Sequence, residues 1–110
     1  MGLTQARSRF FAIRKKCQVL VKNHAFKDYP QRGFSIVELV YLVRTGMGRF
    51  TDNNSDVAIK DSYLFYPKDD ENRECKLVLK IEELEIHGQE GSKKETVIVC
   101  SAYREIKYDA

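Results

Sequence analysis

The hydrophobic pattern is clearest between residues 35 and 46, where it has the period of a helix. Ser35 is a good N-cap and Glu38 completes a capping box with it, so the sequence predicts a helix that starts near Ile36. Gly46 stands where a left-handed residue often ends a helix. Apolar residues recur at the i, i+3, i+4, i+7 spacing of one stripe facing a core, namely Ile36, Leu39, Val40 and Val43.

Turn-forming residues follow an isolated histidine just ahead of that helix. Gly33 suits a backbone position with positive φ, and Pro30 pushes Tyr29 towards an extended conformation. A short helix that starts at about His24 must therefore end at Tyr29. The sequence predicts one compact helix-turn unit bracketed by His24 and Arg32.

Around this unit the pattern predicts one more helix and up to four strands. Residues 4–16 indicate an N-terminal helix and residues 17–22 a first strand. Strand patterns return over residues 59–66, 76–86 and 96–106. Turn-rich stretches separate the elements over residues 47–56, 67–73 and 87–95. We expect an α+β fold, a small antiparallel sheet of three to four strands with N-terminal helices packed on it, in one domain over residues 1–110.

The last predicted strand, over residues 96–106, is apolar at its start and polar at its end. Strict alternation puts Tyr103 and Glu105 on the face of Val97, and Arg104 on the face of Ile98. Both faces begin apolar and end polar, so these three polar residues are candidates to line a groove. The alternative is that Arg104 and Glu105 fray into solvent.

Charge is distributed unevenly along the chain. The first 32 residues hold eight Lys or Arg and one acid, whereas the rest hold eleven basic and fifteen acidic residues, so the net charge of +3 divides into +7 and −4. Basic side chains near aromatic ones suit phosphate contacts with base stacking. The alternative is an ordinary solvated face of the N-terminal helix over residues 1–16. The candidate nucleic-acid-binding residues are Arg7, Arg9, Arg14, Lys15, Lys16, Lys22 and Lys27.

Several classes of protein are disfavoured. The sequence has no apolar run near 18 residues and no secretory-signal pattern, which favours a cytoplasmic protein without membrane insertion. Cys17, Cys75 and Cys100 are odd in number and widely separated, so we expect reduced thiols rather than disulfides or a zinc site. Glycine-rich phosphate loops and nucleophile elbows are lacking, and we expect neither a metal nor a cofactor.

Several short motifs resemble a known group of proteins. They are His24-Ala25, Gln31-Arg32-Gly33-Phe34-Ser35, the helix running to Arg44-Thr45-Gly46, and the final strand from Val97 to Glu105. Together they resemble the BrnT-type toxins and a neighbouring family of unknown function, both within the RelE-like set. The resemblance implies an antiparallel sheet with helices against it and, for some members, endoribonuclease activity.

Metal-independent RNA cleavage by the neighbouring 2′-hydroxyl requires proton transfer and positive charge near the phosphate. His24 suits proton transfer, and Arg32 and Arg104 suit bidentate phosphate binding. Tyr103 can stack on a base or donate a proton, while Glu105 can act as a base or orient Arg104. The alternatives are that His24 bonds the local backbone and that Arg32 pairs with a nearby carboxylate.

These residues lead to two hypotheses. The first is a metal-independent endoribonuclease toxin of a toxin–antitoxin type system, acting on RNA and neutralised by an antitoxin-like partner. The second is a non-catalytic protein- or nucleic-acid-binding module on the same scaffold, which the fifteen acids after Arg32 favour. Open sheet edges also allow a homodimer.

Overall fold

The computed structural model describes residues 2–53, 60–86 and 89–104. Its described helices all precede residue 46, and most of its strands follow them. The helices are α1 (Leu3–Ile13), α2 (Asn23–Phe26) and α3 (Ile36–Thr45), with a 3-10 turn at Pro30–Arg32. The strands are β1 (Gln18–Val21), β2 (Gly48–Asp52), β3 (Tyr63–Pro67), β4 (Cys75–Ile86) and β5 (Gln89–Arg104). None of the described helices has the length and apolar character needed to cross a membrane.

All five strands form one mixed sheet in the order β1-β5-β4-β3-β2. The α+β class is confirmed, but the prediction of three to four antiparallel strands is wrong in two respects. First, β1 runs parallel to β5. No short turn joins these two strands, so nothing local imposes an antiparallel pairing, and Val19 and Val21 add to the core from the parallel edge.

The second difference is β2, which occupies residues predicted to form a loop. Gly48 and Asp52 at its ends are typical turn residues, which explains the prediction. Phe50 between them is almost fully buried, and the whole of β2 pairs with β3. The burial of Phe50 and the backbone bonds to β3 therefore outweigh the local turn preference.

One face of the sheet carries the helices and the larger hydrophobic cluster. Phe10 of α1 lies between Phe50 and Phe65, with ring centroids 5.2 and 4.9 Å away. The helix α3 buries Leu39, Leu42 and Val43. The predicted stripe is correct at Leu39 and Val43 but wrong at Ile36, which is exposed because the first turn of α3 extends past the edge of the core.

The opposite face carries a smaller cluster, and a β-bulge controls which residues reach it. Its buried residues are Leu64, Val78, Ile98 and Cys100, with Tyr66, Leu84 and Tyr103 packed against them. Val78 pairs with Ser101 and Leu79 with Val99, so Cys100 is an extra residue. The alternation predicted for β5 is therefore wrong beyond Cys100. Ala102 joins the helix-covered face and Tyr103 the opposite one.

The two glycines that flank α3 have different roles. Gly33 has φ 73° and ψ 20°, which confirms the predicted left-handed turn. Ser35 accepts a hydrogen bond from the backbone N–H of Glu38 at 3.1 Å, which confirms the N-cap. Gly46 is extended, at φ −61° and ψ 144°, so the predicted left-handed end is wrong. It is required instead for close packing, because a Cβ there would lie 2.4 Å from the Leu42 carbonyl oxygen and 2.6 Å from the Pro67 Cβ.

We expect the substitution Gly46→Ala to lower the free energy of unfolding by roughly 1–3 kcal/mol, because the added methyl group overpacks α3 against Pro67. The matched control is Gly2→Ala, since a Cβ at Gly2 meets nothing within 4 Å. Urea unfolding followed by circular dichroism measures both variants. Equal midpoints for the two would contradict the close-packing role of Gly46.

Candidate nucleic-acid interface

The helix-turn unit places His24 beside Tyr29. The short helix α2 ends at Phe26, earlier than predicted, and the 3-10 turn follows at Pro30. The edge of one ring meets the face of the other, with centroids 4.8 Å apart and planes at 87°. The His24 Nδ1 lies 3.9 Å from the Asp28 Oδ2, beyond hydrogen-bond distance, and the His24 side chain is 47% exposed. His24 is thus an accessible imidazole supported by an aromatic ring.

Arg32 lies between two tyrosine rings. Its Cζ is 3.8 Å from the Tyr29 ring centroid and 4.1 Å from the Tyr103 ring centroid. Its Nη1 donates to the Ala102 carbonyl oxygen at 3.1 Å. Stacking on both rings and this bond to β5 therefore hold Arg32, in place of the predicted alternative of a nearby carboxylate. The structure brings together three predicted site residues, His24, Arg32 and Tyr103.

The same alternation of cations and rings continues across the sheet. Lys76 pairs with Tyr103 in the β4–β5 register, and its Nζ is 5.4 Å from that ring centroid. Phe65 pairs with Leu77, which puts Tyr66 beside Lys76 on the face opposite the helices. The Arg49 Cζ lies 4.1 Å from the Tyr66 ring centroid. We call this set the cation–aromatic row; its members are His24, Tyr29, Arg32, Tyr103, Lys76, Tyr66 and Arg49.

Arg104 has a different environment from the one its predicted role requires. Its side chain is only 14% exposed, and its Cζ lies 4.1 Å from the Phe34 ring centroid. The guanidinium donates to the carbonyl oxygens of Arg32 and Gly33 at 3.0 and 3.1 Å. It also donates to carboxylate oxygens of Asp69, at 2.7 Å, and Glu38. Arg104 therefore neither frays into solvent nor has its donors directed at a phosphate, and we give it a structural role. Glu105 lies outside the described residues.

Asp69 is the most buried partner of Arg104, with a side chain only 2% exposed. It also accepts a hydrogen bond from the Arg73 Nε and two from the backbone N–H groups of Glu71 and Arg73. Burial raises the pKa of this carboxyl group, but the hydrogen bonds from Arg73 and its charge outweigh burial, so the pKa lies below its ordinary value. Asp69 is therefore a charged anchor for Arg104.

Among the basic residues near the N-terminus, the arginines and the lysines have different environments. The arginines bond within the fold: Arg7 donates to the Phe50 carbonyl oxygen at 3.0 Å, Arg9 pairs with Glu95 at 2.6 Å, and the buried Arg14 donates to the Gly46 carbonyl oxygen. The predicted lysines are all exposed, namely Lys15, Lys16, Lys22 and Lys27. Lys22 and Lys27 are the residues on either side of α2, so they are the predicted phosphate contacts nearest to His24 in the chain.

The three cysteines are buried and free of disulfides. Burial, followed by the nearby Asp69 carboxylate, raises the pKa of Cys75 to about 11. Burial also raises the pKa of Cys17 and of Cys100. These thiols stay protonated near neutral pH, which makes them poor nucleophiles. Within the described residues, no group of three or more His, Cys, Asp or Glu side chains could hold a metal ion.

Comparison with known proteins adds no relative. No family model matches the chain, and no curated protein or solved structure matches it. The resemblance to the RelE-like set therefore remains a prediction from short motifs.

Several members of the cation–aromatic row were not predicted from the sequence. The sequence pattern distinguishes Tyr29 only as the residue before Pro30, and Tyr66 only as part of the strand predicted over residues 59–66. Lys76 and Arg49 were not singled out. The available signal was the alternation in β3 and β4, which puts Tyr66 and Lys76 on the faces opposite Phe65 and Leu77.

We expect Asp69→Asn to lower the free energy of unfolding by roughly 3 kcal/mol, because it leaves the largely enclosed charge of Arg104 without its most buried carboxylate partner. The matched control is Asp70→Asn at the exposed neighbouring residue, which should change stability by less than about 0.5 kcal/mol. Thermal unfolding at neutral pH measures both. Similar melting temperatures for the two variants would contradict the anchoring role of Asp69.

The lowered pKa of Asp69 also determines how the stability of the fold changes with pH. The stabilisation from charged Asp69 is complete above the ordinary aspartate pKa of about 3.9, and it is lost as pH falls through the lower folded value. The wild type should therefore lose more stability than Asp69→Asn on acidification from about pH 5 to about pH 2. Parallel stability curves for the two proteins would contradict this.

Proposed function

We propose that this protein binds single-stranded RNA along the cation–aromatic row and cleaves it without a metal, by attack of the neighbouring 2′-hydroxyl. The observation that carries the proposal is the position of Arg32, stacked between Tyr29 and Tyr103, with His24 also in contact with the Tyr29 ring. An arginine for the phosphate, rings for the bases and a histidine for the proton thus occur in one continuous group.

Binding follows from the chemistry of stacked arginines and half-buried tyrosine rings. Bases stack on aromatic side chains with about 1–3 kcal/mol each, largely without regard to sequence. Arg32 uses its Nη1 on the Ala102 carbonyl oxygen, and its other N–H groups suit the oxygens of one phosphate. The exposed Lys22 and Lys27 on either side of α2 add charge for the neighbouring phosphates.

In the cleavage step, His24 accepts the proton of the 2′-hydroxyl as its oxygen attacks phosphorus. The bond from phosphorus to the 5′-oxygen breaks, and that oxygen takes a proton from Tyr103 or from water. The products are a 2′,3′-cyclic phosphate and a 5′-hydroxyl. Arg32 stabilises the charge that builds up on the phosphate oxygens during attack.

The toxin hypothesis adds a neutralising protein partner. The helix α3 exposes apolar side chains beyond its buried stripe, at Ile36, Val37 and Tyr41. An apolar helical face is a common docking surface for an antitoxin-like protein. We therefore assign the protein to the toxins of toxin–antitoxin systems within this proposal, with RNA as substrate and a cytoplasmic location.

The second candidate is a non-catalytic RNA-binding module. It is favoured by Arg104, because this predicted second phosphate ligand is occupied by the oxygens of the fold. Arg32 is then the arginine that the row places beside His24, for a reaction that benefits from more than one charged group near the phosphate. In this case the row binds RNA and leaves it intact.

We expect His24→Gln to reduce RNA cleavage by a factor of about 100 or more while RNA affinity changes by less than about twofold, because only proton transfer is removed. Arg32→Gln should weaken both cleavage and binding. The control is Lys94→Gln, an exposed lysine in the first half of β5 and outside the row. The assay uses end-labelled single-stranded RNA in EDTA, with and without ribosomes, and a parallel fluorescence-anisotropy titration.

The outcomes separate the two candidates. Cleavage that survives both His24→Gln and Arg32→Gln would overturn the assigned mechanism. Binding that weakens with salt and with Arg32→Gln, without any cleavage, would support the non-catalytic module instead. RNA binding too weak to measure at low salt would refute both.

A further inference from the structure

A cavity opens at the end of the sheet where β4 begins and β5 ends, directly beside the row. Its volume is about 230 Å³, smaller than the pockets that enclose drug-sized ligands. Its lining residues are Tyr66 of β3, Cys75 and Lys76 of β4, Glu74 just before β4, and Tyr103 and Arg104 of β5. Of these residues, the proposed cleavage chemistry uses Tyr103 alone.

We infer that this cavity is a subsite for one RNA base and that it selects guanine. The inference rests on the proposed RNA-binding function and names the base that the surface prefers. Three features support the guanine subsite. They are the size of the cavity, its two aromatic walls and one available carboxylate.

The aromatic walls suit a planar ring. Tyr66 and Tyr103 both line the cavity, and each has an arginine over its ring at 4.1 Å, Arg49 for Tyr66 and Arg32 for Tyr103. An arginine on one face of each ring limits how the ring can turn, so the two walls are held in place before a ligand arrives. A base in the cavity therefore gains stacking on an aromatic wall at little ordering cost.

The carboxylate supplies the selectivity. The Glu74 side chain is 41% exposed, and its Oε1 has only a long contact, 3.4 Å from the Arg49 Nη2, within the described part of the chain. Guanine presents two adjacent donors, N1–H and the 2-amino group, which match the two oxygens of one carboxylate. Adenine and cytosine each place a donor next to an acceptor, and uracil has one donor between two acceptors. Glu74 therefore favours guanine.

The other polar residues in the cavity fit this assignment. Arg104 is held by Asp69 and Glu38, so its charge is already compensated and it does not compete for Glu74. Lys76 carries a positive charge beside Glu74, which suits the phosphate of the bound nucleotide and offsets repulsion between that phosphate and the carboxylate. The Cys75 thiol is neutral near pH 7 because burial raises its pKa to about 11, so it forms an uncharged wall.

The position of the cavity relates the base to the proposed cleavage site. Tyr103 lines the cavity and also stacks on Arg32, so a guanine in the cavity and a phosphate at Arg32 are separated by one tyrosine ring. The cleaved phosphate should therefore belong to a nucleotide next to the guanine. The prediction is cleavage beside guanine rather than at random.

The test is a nuclear magnetic resonance titration of the full ¹⁵N-labelled chain with guanosine 3′-monophosphate, compared with adenosine 3′-monophosphate. We expect the amide signals of Tyr66, Lys76 and Tyr103 to shift, with affinity for the guanosine nucleotide about tenfold higher. Glu74→Gln should remove this preference. Glu82→Gln is the matched control, since Glu82 is exposed further along the same strand.

Equal affinities for the two nucleotides in the wild type, or shifts confined to α1, would overturn the subsite. So would a preference for guanine that persists in Glu74→Gln. This readout requires no cleavage, so it is independent of the proposed chemistry. Guanine binding without RNA cleavage would support the subsite and refute the nuclease. RNA cleavage without a guanine preference would support the nuclease and refute the subsite.

Discussion

The buried charge of Arg104 is the constraint on which the rest of the structure depends. A guanidinium this enclosed is stable only when acceptors surround it, and those acceptors come from the Gly33 turn, α3 and the turn between β3 and β4. The connection to Arg32 runs in both directions. Arg104 donates to the Arg32 carbonyl oxygen, and the Arg32 side chain donates to the carbonyl oxygen of Ala102 on the same strand. The helix-turn unit is thereby fixed against β5 at two points, which holds Arg32 between its two tyrosines.

The bulge at Cys100 makes this arrangement geometrically possible. With a regular strand, Arg104 would lie on the helix-free face and Tyr103 would be directed into the core. The extra residue exchanges the sheet faces on which these two side chains lie. Arg104 therefore contacts Asp69 and Glu38, while the Tyr103 ring contacts Arg32 and Lys76. A single backbone irregularity thus separates a structural arginine from a surface tyrosine at neighbouring positions.

The sequence predicts a feature of this structure when the residues that determine it lie close together along the chain. Ser35, Gly33 and the extent of α3 were predictable because capping and turn geometry involve residues within a few positions of one another. The grouping of His24 with Arg32 was predictable for the same reason. The orientation of Arg104 was not, because it depends on how β5 pairs with a strand some 25 residues away. The strand β2 was also missed, since its turn-like composition is overridden only by pairing with β3 and burial of Phe50.

The parallel pairing of β1 with β5 has a consequence for how the protein is made. The sheet joins the first strand of the chain to the last, and Arg32 has its second ring only when Tyr103 is in place. During synthesis the ribosome releases His24, Tyr29 and Arg32 long before it releases β5. The nascent chain therefore lacks an assembled cation–aromatic row until β5 has been translated. Such distant contacts also form slowly. Whatever the row binds, it binds only after β5 has joined the sheet.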